Sequence, residues 1–381
     1  MLAASSASSA IGRALTSDEG QAAAADAPRG EPQPPPGRPR EPIAVDAMGG
    51  DHAPAEIVAG AVAAARDGVP VLLTGRPGQL RPLLARHGAM AEIRIVPAED
   101  SIAMDEGALA SWRRPRSSIA VACQLVRRGQ AGAVVSAGST GGVVSTARLR
   151  LRPLAGVQRP ALAVVLPTQP GPTLLLDAGA IADPKPEMLV QFAQLGVAYA
   201  QTAFGITEPR VGLLTIGSEP GKGNKLAVRA HELLESDPPH GGLPISFSGN
   251  VEGTDLLTGK VDVIVTDGFT GNVALKTLEG TAGFAARLLR ETLSGSRSAR
   301  VGAMLMRREM RALAGRMDTE TYGGAALLGL EGTVVIAHGA AKARGVAAAC
   351  VLAAALASGQ ITEKIKERLG PPRGGHFLRR P

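Results

Sequence analysis

The sequence predicts an α/β protein in which an open, mostly parallel sheet is covered by helices on both faces. Short apolar runs of strand length alternate with longer segments whose apolar residues recur at helical spacing. Several of these runs also end in turns rich in glycine and polar side chains, as parallel strands do where they lead into a helix. Because ligands bind at the carboxyl ends of strands in such folds, we expect the functional site there.

The candidate strands are near-continuous apolar runs, as expected for strands buried on both faces. They lie at 43–45, 70–73, 93–96, 132–135, 161–166, 173–177, 211–215, 244–248, 262–266 and 333–336. Helical patterns fill the intervals, most clearly in 117–128 and 186–204, where large apolar side chains fall on one face. We expect so many strands to form two lobes with a cleft between them.

The length and the two ends of the chain bound the domain organisation. With 381 residues, 45% of them hydrophobic, the chain can bury the core of one large or two ordinary domains. Residues 1–42 are rich in Ala, Ser, Gly and Pro and are predicted to be a disordered tail without the features of a signal peptide. Residues 370–381 are a second flexible tail, so the folded domain is predicted at 43–369.

The charge of the chain favours an anionic partner. The net charge is +7 and the pI about 9.8, which suits an acidic protein, a phosphate or an anionic membrane surface. Nucleic acid is not expected, because only 2% of the residues are aromatic and few side chains can stack on bases.

Cysteine and histidine usage predicts neither a disulfide framework nor a metal site. Cys123 and Cys350 lie in apolar helical stretches, which suits a reducing cytosol, and the six histidines have no ligand spacing. No apolar run reaches about 18 residues, so no transmembrane helix is predicted. We therefore expect a cytoplasmic protein without metal or cofactor.

The first polar turn follows the strand at 43–45. Asp46 ends this strand and is followed by Gly49 and Gly50, which let bare backbone approach a ligand. A second turn of this kind follows the strand at 132–135 and contains Ser139, Thr140 and Gly141. Such a turn can present backbone N–H groups to an anion, although a plain tight turn is the more common explanation of the second block taken alone.

The third block places a cation at the start of a helix. Lys185 lies between two prolines before the helical segment at 186–204, where Asp183 is a candidate cap. A cation at the positive end of a helix dipole is unfavourable by a few tenths to about 1 kcal/mol unless an anion lies between them. The pattern therefore indicates either an anion site or a solvated lysine paired with Asp183 or Glu187.

The fourth block, 213–226, is a strand followed by a glycine- and lysine-rich loop and a helix. Only three residues separate Gly217 from Gly221, and Gly223 follows Lys222, so the Walker A spacing is absent. What remains is a flexible backbone with two lysines and the amide of Asn224, which suits a single phosphate and a polar thioester.

The fifth block comprises Asn250 in 249–253 and a polar turn after the strand at 262–266. Asp267, Thr270 and Asn272 lie where they can cap the following helix and do nothing more. Toward the C-terminus, a lone histidine such as His338 is more often packed inside a protein than catalytic.

Together these blocks resemble the bacterial phosphate acyltransferases of phospholipid synthesis, over about residues 43–357. Several positions depart from the family's segments. Ser139 and Ile181 stand where family members usually have asparagine, Gly142 departs as well, and Ala325 or Ala326 stands where a proline is usual. The resemblance implies a fold like that of phosphate acetyltransferases and isocitrate dehydrogenases. It also implies transfer of a fatty acyl group from acyl carrier protein to inorganic phosphate, which gives acyl phosphate for phosphatidic acid synthesis.

The resemblance also implies roles for individual residues. Lys185 is expected to bind phosphate and the transition state, and Asn224 to donate to the thioester oxygen. Asp46 and Asp267 are expected to orient loops in the substrate site. The remaining substrate-binding candidates are Gly49, Gly50, Ser139, Thr140, Gly141, Lys222, Asn250 and Asn272. Phosphate is itself a nucleophile, so no Ser or Cys triad is required, and no Gly-x-Ser-x-Gly elbow is evident.

Three other functions remain open from the sequence. A phosphate acyltransferase that uses coenzyme A and short chains shares the same fold and chemistry. An oxidoreductase of the isocitrate dehydrogenase type needs carboxylates that converge on Mg²⁺, and no convincing set is present. A non-enzymatic scaffold for carrier protein or membrane would bind without forming acyl phosphate.

The most basic segment, 284–317, carries a net charge of +6 and is predicted to be two amphipathic helices joined near Gly295. It contains eight arginines, Arg287, Arg290, Arg297, Arg300, Arg307, Arg308, Arg311 and Arg316. The pattern fits contact with anionic lipid at the inner face of the membrane or with acidic carrier protein. An ordinary solvated helix pair and a homodimer interface fit it as well. A contact with a glycerol-3-phosphate acyltransferase is a further expectation from the resemblance.

Overall fold

The computed structural model describes residues 41–370 apart from 108, 170, 237–241 and 311–322. In the described residues, eleven strands alternate with helices. The strands are β1 Ile43–Asp46, β2 Val71–Gly75, β3 Arg94–Pro97, β4 Ala133–Ser136, β5 Ala161–Leu166, β6 Thr173–Leu176, β7 Arg210–Leu214, β8 Ser246–Val251, β9 Val263–Val265, β10 Ala325–Leu328 and β11 Thr333–Ile336.

The α-helices cover the intervals between strands. They are α1 Ala55–Arg66, α2 Pro77–Arg86, α3 Ala110–Arg113, α4 Ser118–Arg127, α5 Thr140–Leu151, α6 Pro186–Tyr199, α7 Lys225–Glu235, α8 Gly268–Ser294, α9 Arg297–Leu305, α10 Ala343–Ser358 and α11 Ile361–Leu369. A π-helical turn, Ala200–Phe204, continues α6, and a 3₁₀ turn, Gly253–Leu257, follows β8.

All eleven strands form one sheet in the order β3-β2-β1-β4-β11-β10-β5-β6-β9-β7-β8. The first five strands in this order are parallel to one another, and so are the last four. Between them, β10 is antiparallel to both β11 and β5, and β5 is antiparallel to β6. The prediction of an open, mostly parallel sheet is confirmed. The reversal in the middle, which sets the two parallel halves in opposite directions, was not predicted.

The helices pack on both faces of this sheet. Alternate residues of β1 show this, because Val45 belongs to one buried apolar cluster and Ala44 to the other. The first cluster includes the inner faces of α1, α6 and α10, and the second includes α4 and α5. Period-two alternation within each strand therefore supplies apolar side chains to two cores at once.

The predicted elements agree with the structure except in the region of β8 and β10. The helical segments at 117–128 and 186–204 correspond to α4 and to α6 with its π-helical turn. The predicted strand at 244–248 begins later, at Ser246, and continues to Val251. Strand β10 was missed, because its Ala-Ala-Leu-Leu sequence is short and lacks β-branched residues.

No single helix among the described residues is long and apolar enough to cross a membrane, although α10 and α11, with a 50° bend between them, reach that length and composition as a pair. Most of the predicted tails, residues 1–40 and 371–381, lie outside the described residues.

Candidate active site

Three helices begin at the same edge of the second parallel half of the sheet. Strands β6, β9 and β7 are neighbours and parallel, so their carboxyl ends lie side by side. The chain leaves these ends toward α6, α8 and α7, respectively. Lys185, Asp267 and Asn224 are the residues that immediately precede these three helices. The fold therefore brings three predicted site residues to one edge of the sheet, as the position of polar turns after strands indicated.

Asp177 organises the loop between β6 and α6. Its buried carboxylate accepts hydrogen bonds from the backbone N–H groups of Leu162 at 2.9 Å, Ala180 at 3.0 Å and Ile181 at 2.8 Å. Burial raises the pKa of this carboxyl group, and the backbone hydrogen bonds oppose that rise. Sequence reasoning did not single out Asp177. The available signal was a carboxylate that ends a run of leucines and precedes small residues.

The same loop is joined to the start of α8. The Gly268 N–H donates to the Ile181 carbonyl at 2.8 Å. A Cβ on Gly271 would lie 1.9 Å from the Asp177 carbonyl oxygen, so only glycine permits this approach. The loop that leads to Lys185 and the first turn of α8 therefore form one packed unit.

Lys185 is exposed and occupies the N-cap position of α6, with Pro186 as the first helical residue. Its side chain does not cap the helix, and Asp183 does not occupy the cap position, so the prediction of an Asp183 cap is wrong. The predicted pairing of Lys185 with Asp183 or Glu187 is likewise absent among the ion pairs of the described residues. Within that part of the chain, Lys185 therefore projects a free cation beside a helix N-terminus.

Asn224 caps α7 with one half of its amide. Its Oδ1 accepts a hydrogen bond from the Ala227 N–H at 2.9 Å, and the side chain is otherwise exposed. Among the described residues, none accepts a hydrogen bond from the Asn224 Nδ2 group. The cap therefore fixes the orientation of the amide and leaves both of its N–H groups available to a ligand.

The glycine-rich loop before Asn224 is folded back on Thr215. The Thr215 hydroxyl donates to the Lys222 carbonyl at 3.0 Å. Gly223 has φ of +111°, and a Cβ there would lie 2.8 Å from the Thr215 Oγ1, so this position favours glycine. The Lys222 side chain is exposed at the surface of the loop.

Asn250 supports this loop from the protein interior. It is 4% exposed, its Nδ2 donates to the Glu219 carbonyl at 2.8 Å, and its Oδ1 lies 2.8 Å from His231 Nδ1. The other ring nitrogen of His231 lies 3.2 Å from the Glu235 carboxylate. Asn250, predicted to bind substrate, is thus placed beneath the loop rather than at an open surface.

Asp267 caps α8, as one interpretation of the sequence predicted. Its carboxylate accepts from the Thr270 N–H at 2.8 Å and from the Thr270 hydroxyl at 2.7 Å. Thr270 and Asn272 are not caps, and Asn272 is exposed on another side of the same helix, near Gly179.

In the first parallel half, the turns after β1 and β4 pack against each other. Asp46 is 2% exposed and accepts from the Ser136 hydroxyl at 2.7 Å and the Met48 N–H at 3.2 Å. Its burial raises the pKa of the carboxyl group. A Cβ on Gly49 would lie 2.7 Å from Asp46 Oδ2 and 2.9 Å from the Gly138 nitrogen. Asp46 is therefore positioned to hold the two turns together.

The β4 turn opens into α5. The Ser139 hydroxyl accepts from the Gly142 N–H at 3.3 Å, which makes Ser139 the N-cap. Thr140 and Gly141 follow in the exposed first turn, and Gly50, with φ of +116°, lies near the Gly339 carbonyl on the opposite side.

A cavity of about 420 Å³, the interlobe cavity, joins the two halves of the sheet. It is lined by Ser139 and Thr140 from the first half, by Asn272 and Lys276 from α8, and by apolar residues of β5. His338 also lines it and is exposed, with its Nδ1 accepting from the Ala340 N–H at 3.2 Å. The expectation that His338 is packed inside the protein is therefore wrong.

A second cavity of about 380 Å³, the α7–α8 cavity, lies beside Asn224 and Asp267. The first turns of α8 separate the two cavities, because Thr270 and Val273 line the second while Asn272 and Lys276 line the first. Leu189 lies one turn beyond Lys185 on the same face of α6 and also lines the α7–α8 cavity. Lys185 itself lines neither cavity, nor do Asp46, Gly49, Gly50, Gly141, Lys222 and Asn250.

Within the described part of the chain, no group of three or more His, Cys, Asp or Glu side chains could hold a metal ion. Cys123 and Cys350 are buried, and burial raises the pKa of each thiol to about 12. Neither thiol is therefore a reactive nucleophile near either cavity.

Comparisons with known proteins agree with the family resemblance seen in the sequence. The family model for fatty acid synthesis proteins matches residues 42–364. The chain is 64% identical over 325 residues to a phosphate acyltransferase of Thermobifida fusca, an alignment that covers 85% of this chain and 90% of that protein. It is 48% identical over 327 residues to a phosphate acyltransferase of Thermus thermophilus, with 86% and 98% covered.

Solved structures support the fold. A phosphotransacetylase from Streptococcus pyogenes superposes with a TM-score of 0.55 at 16% identity, covering 84% of this chain and 94% of that one. A branched-chain phosphotransacylase from Enterococcus faecalis superposes with a TM-score of 0.53 at 15% identity, covering 83% and 99%. The predicted likeness to phosphate acetyltransferases is confirmed at the level of the fold.

Proposed function

Since this chain belongs to the fatty acid synthesis protein family and is a phosphate acyltransferase, we propose that it transfers a fatty acyl group from the thioester of acyl carrier protein to inorganic phosphate. The observation that carries the proposal is the Asn224 amide. Its Oδ1 is held by the Ala227 N–H, its two N–H groups are free among the described residues, and it lines a cavity with mostly apolar walls. The carbonyl oxygen of an acyl thioester can accept a hydrogen bond from the Asn224 amide. Its acyl chain can pack against the apolar walls of the cavity.

In this reaction a phosphate oxygen attacks the thioester carbonyl carbon. The new C–O bond forms as the carbonyl electrons move to oxygen, and the Asn224 amide donates to the resulting oxyanion. The oxyanion then collapses, the C–S bond breaks, and the thiolate of the carrier leaves as acyl phosphate forms. No residue of the enzyme needs to be acylated.

Lys185 supplies the positive charge for phosphate. It is an exposed cation at the N-terminus of α6, without an ion-pair partner among the described residues, and one turn before a residue that lines the α7–α8 cavity. An anion placed between this ammonium group and the helix end relieves the unfavourable dipole interaction. Lys222, on the loop before Asn224, contributes a second cation, and Asp267 orients the start of α8 between them.

The turns of the first parallel half complete the site in this proposal. Gly49, Gly50 and the exposed start of α5 offer backbone donors to the phosphopantetheine arm or the phosphate. The exposed Asn272 amide, in the interlobe cavity, serves the same substrate. Asp46 and Asn250, both buried, act by holding loops in place.

The basic segment 284–317 is proposed to dock a negatively charged partner. The structure shows the predicted break, since α8 ends at Ser294 and α9 begins at Arg297. Residues 311–317 lie outside the described residues. The described part exposes large apolar side chains among its arginines, namely Phe284, Leu288, Leu289, Val301, Met304, Leu305 and Met306.

An amphipathic surface of this kind suits the inner face of an anionic membrane, the acidic carrier protein or a second copy in a homodimer. We propose a cytoplasmic enzyme that touches the membrane peripherally and delivers acyl phosphate to a glycerol-3-phosphate acyltransferase for phosphatidic acid synthesis.

The competing donor is acyl-coenzyme A, the alternative that the sequence leaves open. The experiment is to incubate the full chain and phosphate with either palmitoyl-acyl carrier protein or palmitoyl-coenzyme A and to trap acyl phosphate with hydroxylamine. Acyl hydroxamate at a rate at least tenfold higher with the carrier protein supports the proposal. A higher rate with palmitoyl-coenzyme A would show that acyl-coenzyme A is the donor. If neither substrate gives hydroxamate, the proposed reaction is wrong.

A further inference from the structure

The rim of the α7–α8 cavity carries large apolar side chains that no described residue covers. Ile216 is 82% exposed, Phe269 66% and Val273 49%, and all three line this cavity. They come from two separate elements, the loop after β7 and the start of α8. Contiguous exposed apolar surface beside a cavity marks a place where an apolar ligand or partner binds.

The interior of the same cavity is also apolar. Leu189, Leu213, Leu226 and Leu256 form its walls. Asp267 and Thr270 bond to each other, so their polar groups are already satisfied. The Asn224 amide, by contrast, keeps N–H donors at this wall that no described residue uses.

The two cavities differ in the charge of the side chains that line them. Of the described residues, no lysine, arginine or histidine lines the α7–α8 cavity, and the ionisable residue there is Asp267, so a phosphate is not favoured. The interlobe cavity contains Lys276 and His338 together with Ser139 and Thr140, and these groups suit a polar or anionic ligand. An alkyl chain there would desolvate cationic groups at a cost, whereas an alkyl chain buried between leucines removes apolar surface from water and is favoured.

We propose that the α7–α8 cavity is the subsite for the fatty acyl chain. The inference rests on the proposed function, because it takes the thioester carbonyl to lie at the Asn224 amide. The alkyl chain then extends from that carbonyl along Leu226 and Leu256 and is covered by Phe269 and Val273. Chain-length preference is set by the side chains that close this cavity.

The test is to narrow the α7–α8 cavity with a larger side chain at its exposed rim. Val273→Phe adds volume at a half-exposed position, so the core is not disturbed. Its matched control is Val351→Phe, the same change at a residue that is 48% exposed on α10 and lines neither cavity. We expect Val273→Phe to lower the ratio of kcat/KM for palmitoyl over octanoyl carrier protein by about tenfold, equivalent to about two methylenes. We expect the control to keep this ratio.

A second variant and a binding measurement test the same subsite without added bulk and without turnover. Phe269→Ala removes part of the cover without adding bulk and is expected to lower the same ratio. Binding of cis-parinaric acid, followed by its fluorescence, reports the apolar subsite without any turnover. It is expected to weaken at least fivefold in Val273→Phe and not in Val351→Phe.

The outcomes distinguish this inference from the proposed function. If the wild-type chain forms no acyl phosphate yet binds parinaric acid in a Val273-dependent manner, the reaction is wrong and the apolar subsite stands. If acyl phosphate forms but Val273→Phe slows octanoyl and palmitoyl donors equally, the subsite is wrong. If Val273→Phe slows both donors equally and sedimentation shows that this variant is shifted from dimers to monomers, a second copy of the chain covers this rim instead.

Discussion

The Asn224 amide has two tasks that substitution can separate. Its Oδ1 caps α7 through the Ala227 N–H, and its Nδ2 is the proposed donor to the acyl oxygen. In Asn224→Asp a carboxylate oxygen still accepts from Ala227, but both donors are lost. In Asn224→Ala the cap and the donors are lost together. We therefore expect the two variants to differ in stability and both to lose most of their turnover.

The magnitudes follow from the two interactions. Replacing an asparagine cap by alanine costs about 0.5–2 kcal/mol of stability, whereas aspartate adds about 0.3–1 kcal/mol of favourable helix-dipole interaction. Removing one donor to a developing oxyanion costs about 2.7–4 kcal/mol, which lowers kcat by roughly 10²–10³. The aspartate also brings a negative charge toward the oxyanion, so its turnover should be the lower of the two.

The assay combines thermal unfolding with steady-state formation of acyl hydroxamate at varied phosphate and varied acyl-carrier protein. We expect kcat to fall in both variants while the KM for phosphate changes by less than about twofold. Ser296→Ala is a control for the loss of a cap in the unfolding measurement alone, because Ser296 also caps a helix, through the Ala299 N–H, but lies in the segment proposed to dock a partner. Near-normal turnover in Asn224→Asp, or a raised phosphate KM at unchanged kcat, would refute the assigned role.

Four further outcomes are expected. Lys185→Ala should unfold like the wild type but lose on the order of 10²-fold in turnover, and normal turnover at saturating phosphate would show that another cation binds the anion. Asn250→Ala should lower the free energy of unfolding by about 1–3 kcal/mol, because it leaves buried polar groups unpaired, and an unchanged urea midpoint would contradict this. Arg307→Glu combined with Arg308→Glu should weaken sedimentation with anionic vesicles or raise the KM for acyl carrier protein at unchanged stability, and dimerisation becomes the better role if neither changes. Deleting residues 1–41 should leave the melting temperature and turnover intact, because the segment has few core-forming residues, and a large drop in either would mean that the tail packs on the domain.

The sequence predicted the strands and the polar turns after them because both are local patterns. An apolar run such as Leu174–Leu176 reads as a buried strand from its own residues, and the turn after it reads as a helix start. Strand β10 has no such pattern, since it is held by its antiparallel neighbours β11 and β5. Its position, and with it the reversal of the sheet, depends on pairing between distant segments.

The roles of single polar side chains were likewise predictable only where the interacting groups are close in the sequence. Asp267 was recognised as a possible cap because a cap lies next to the helix that it caps, whereas the capping role of Asn224 was not predicted. Asp177 was not singled out and the hydrogen bonds of Asn250 beneath the loop were not predicted, because their partners lie up to 31 residues away for Asn250 and 15 for Asp177. His338 was expected inside the core because lone histidines usually pack there, yet it faces a cavity that only the folded sheet creates.

Helix α8 has a mechanical consequence beyond its part in the two cavities. It runs without interruption from Gly268 to Ser294, and 27 residues at about 1.5 Å each make a rod of about 40 Å. One end of this rod forms the cavity walls and the other carries the arginine-rich tip. A bilayer touched by the tip alone would lie up to about 40 Å from Asn224, whereas one leaflet of a membrane is only about 15 Å of hydrocarbon. With contact at the tip alone and the helix upright on the membrane, an acyl chain could not bridge this distance. The product would then have to be carried or handed across the gap rather than slide directly into the lipid.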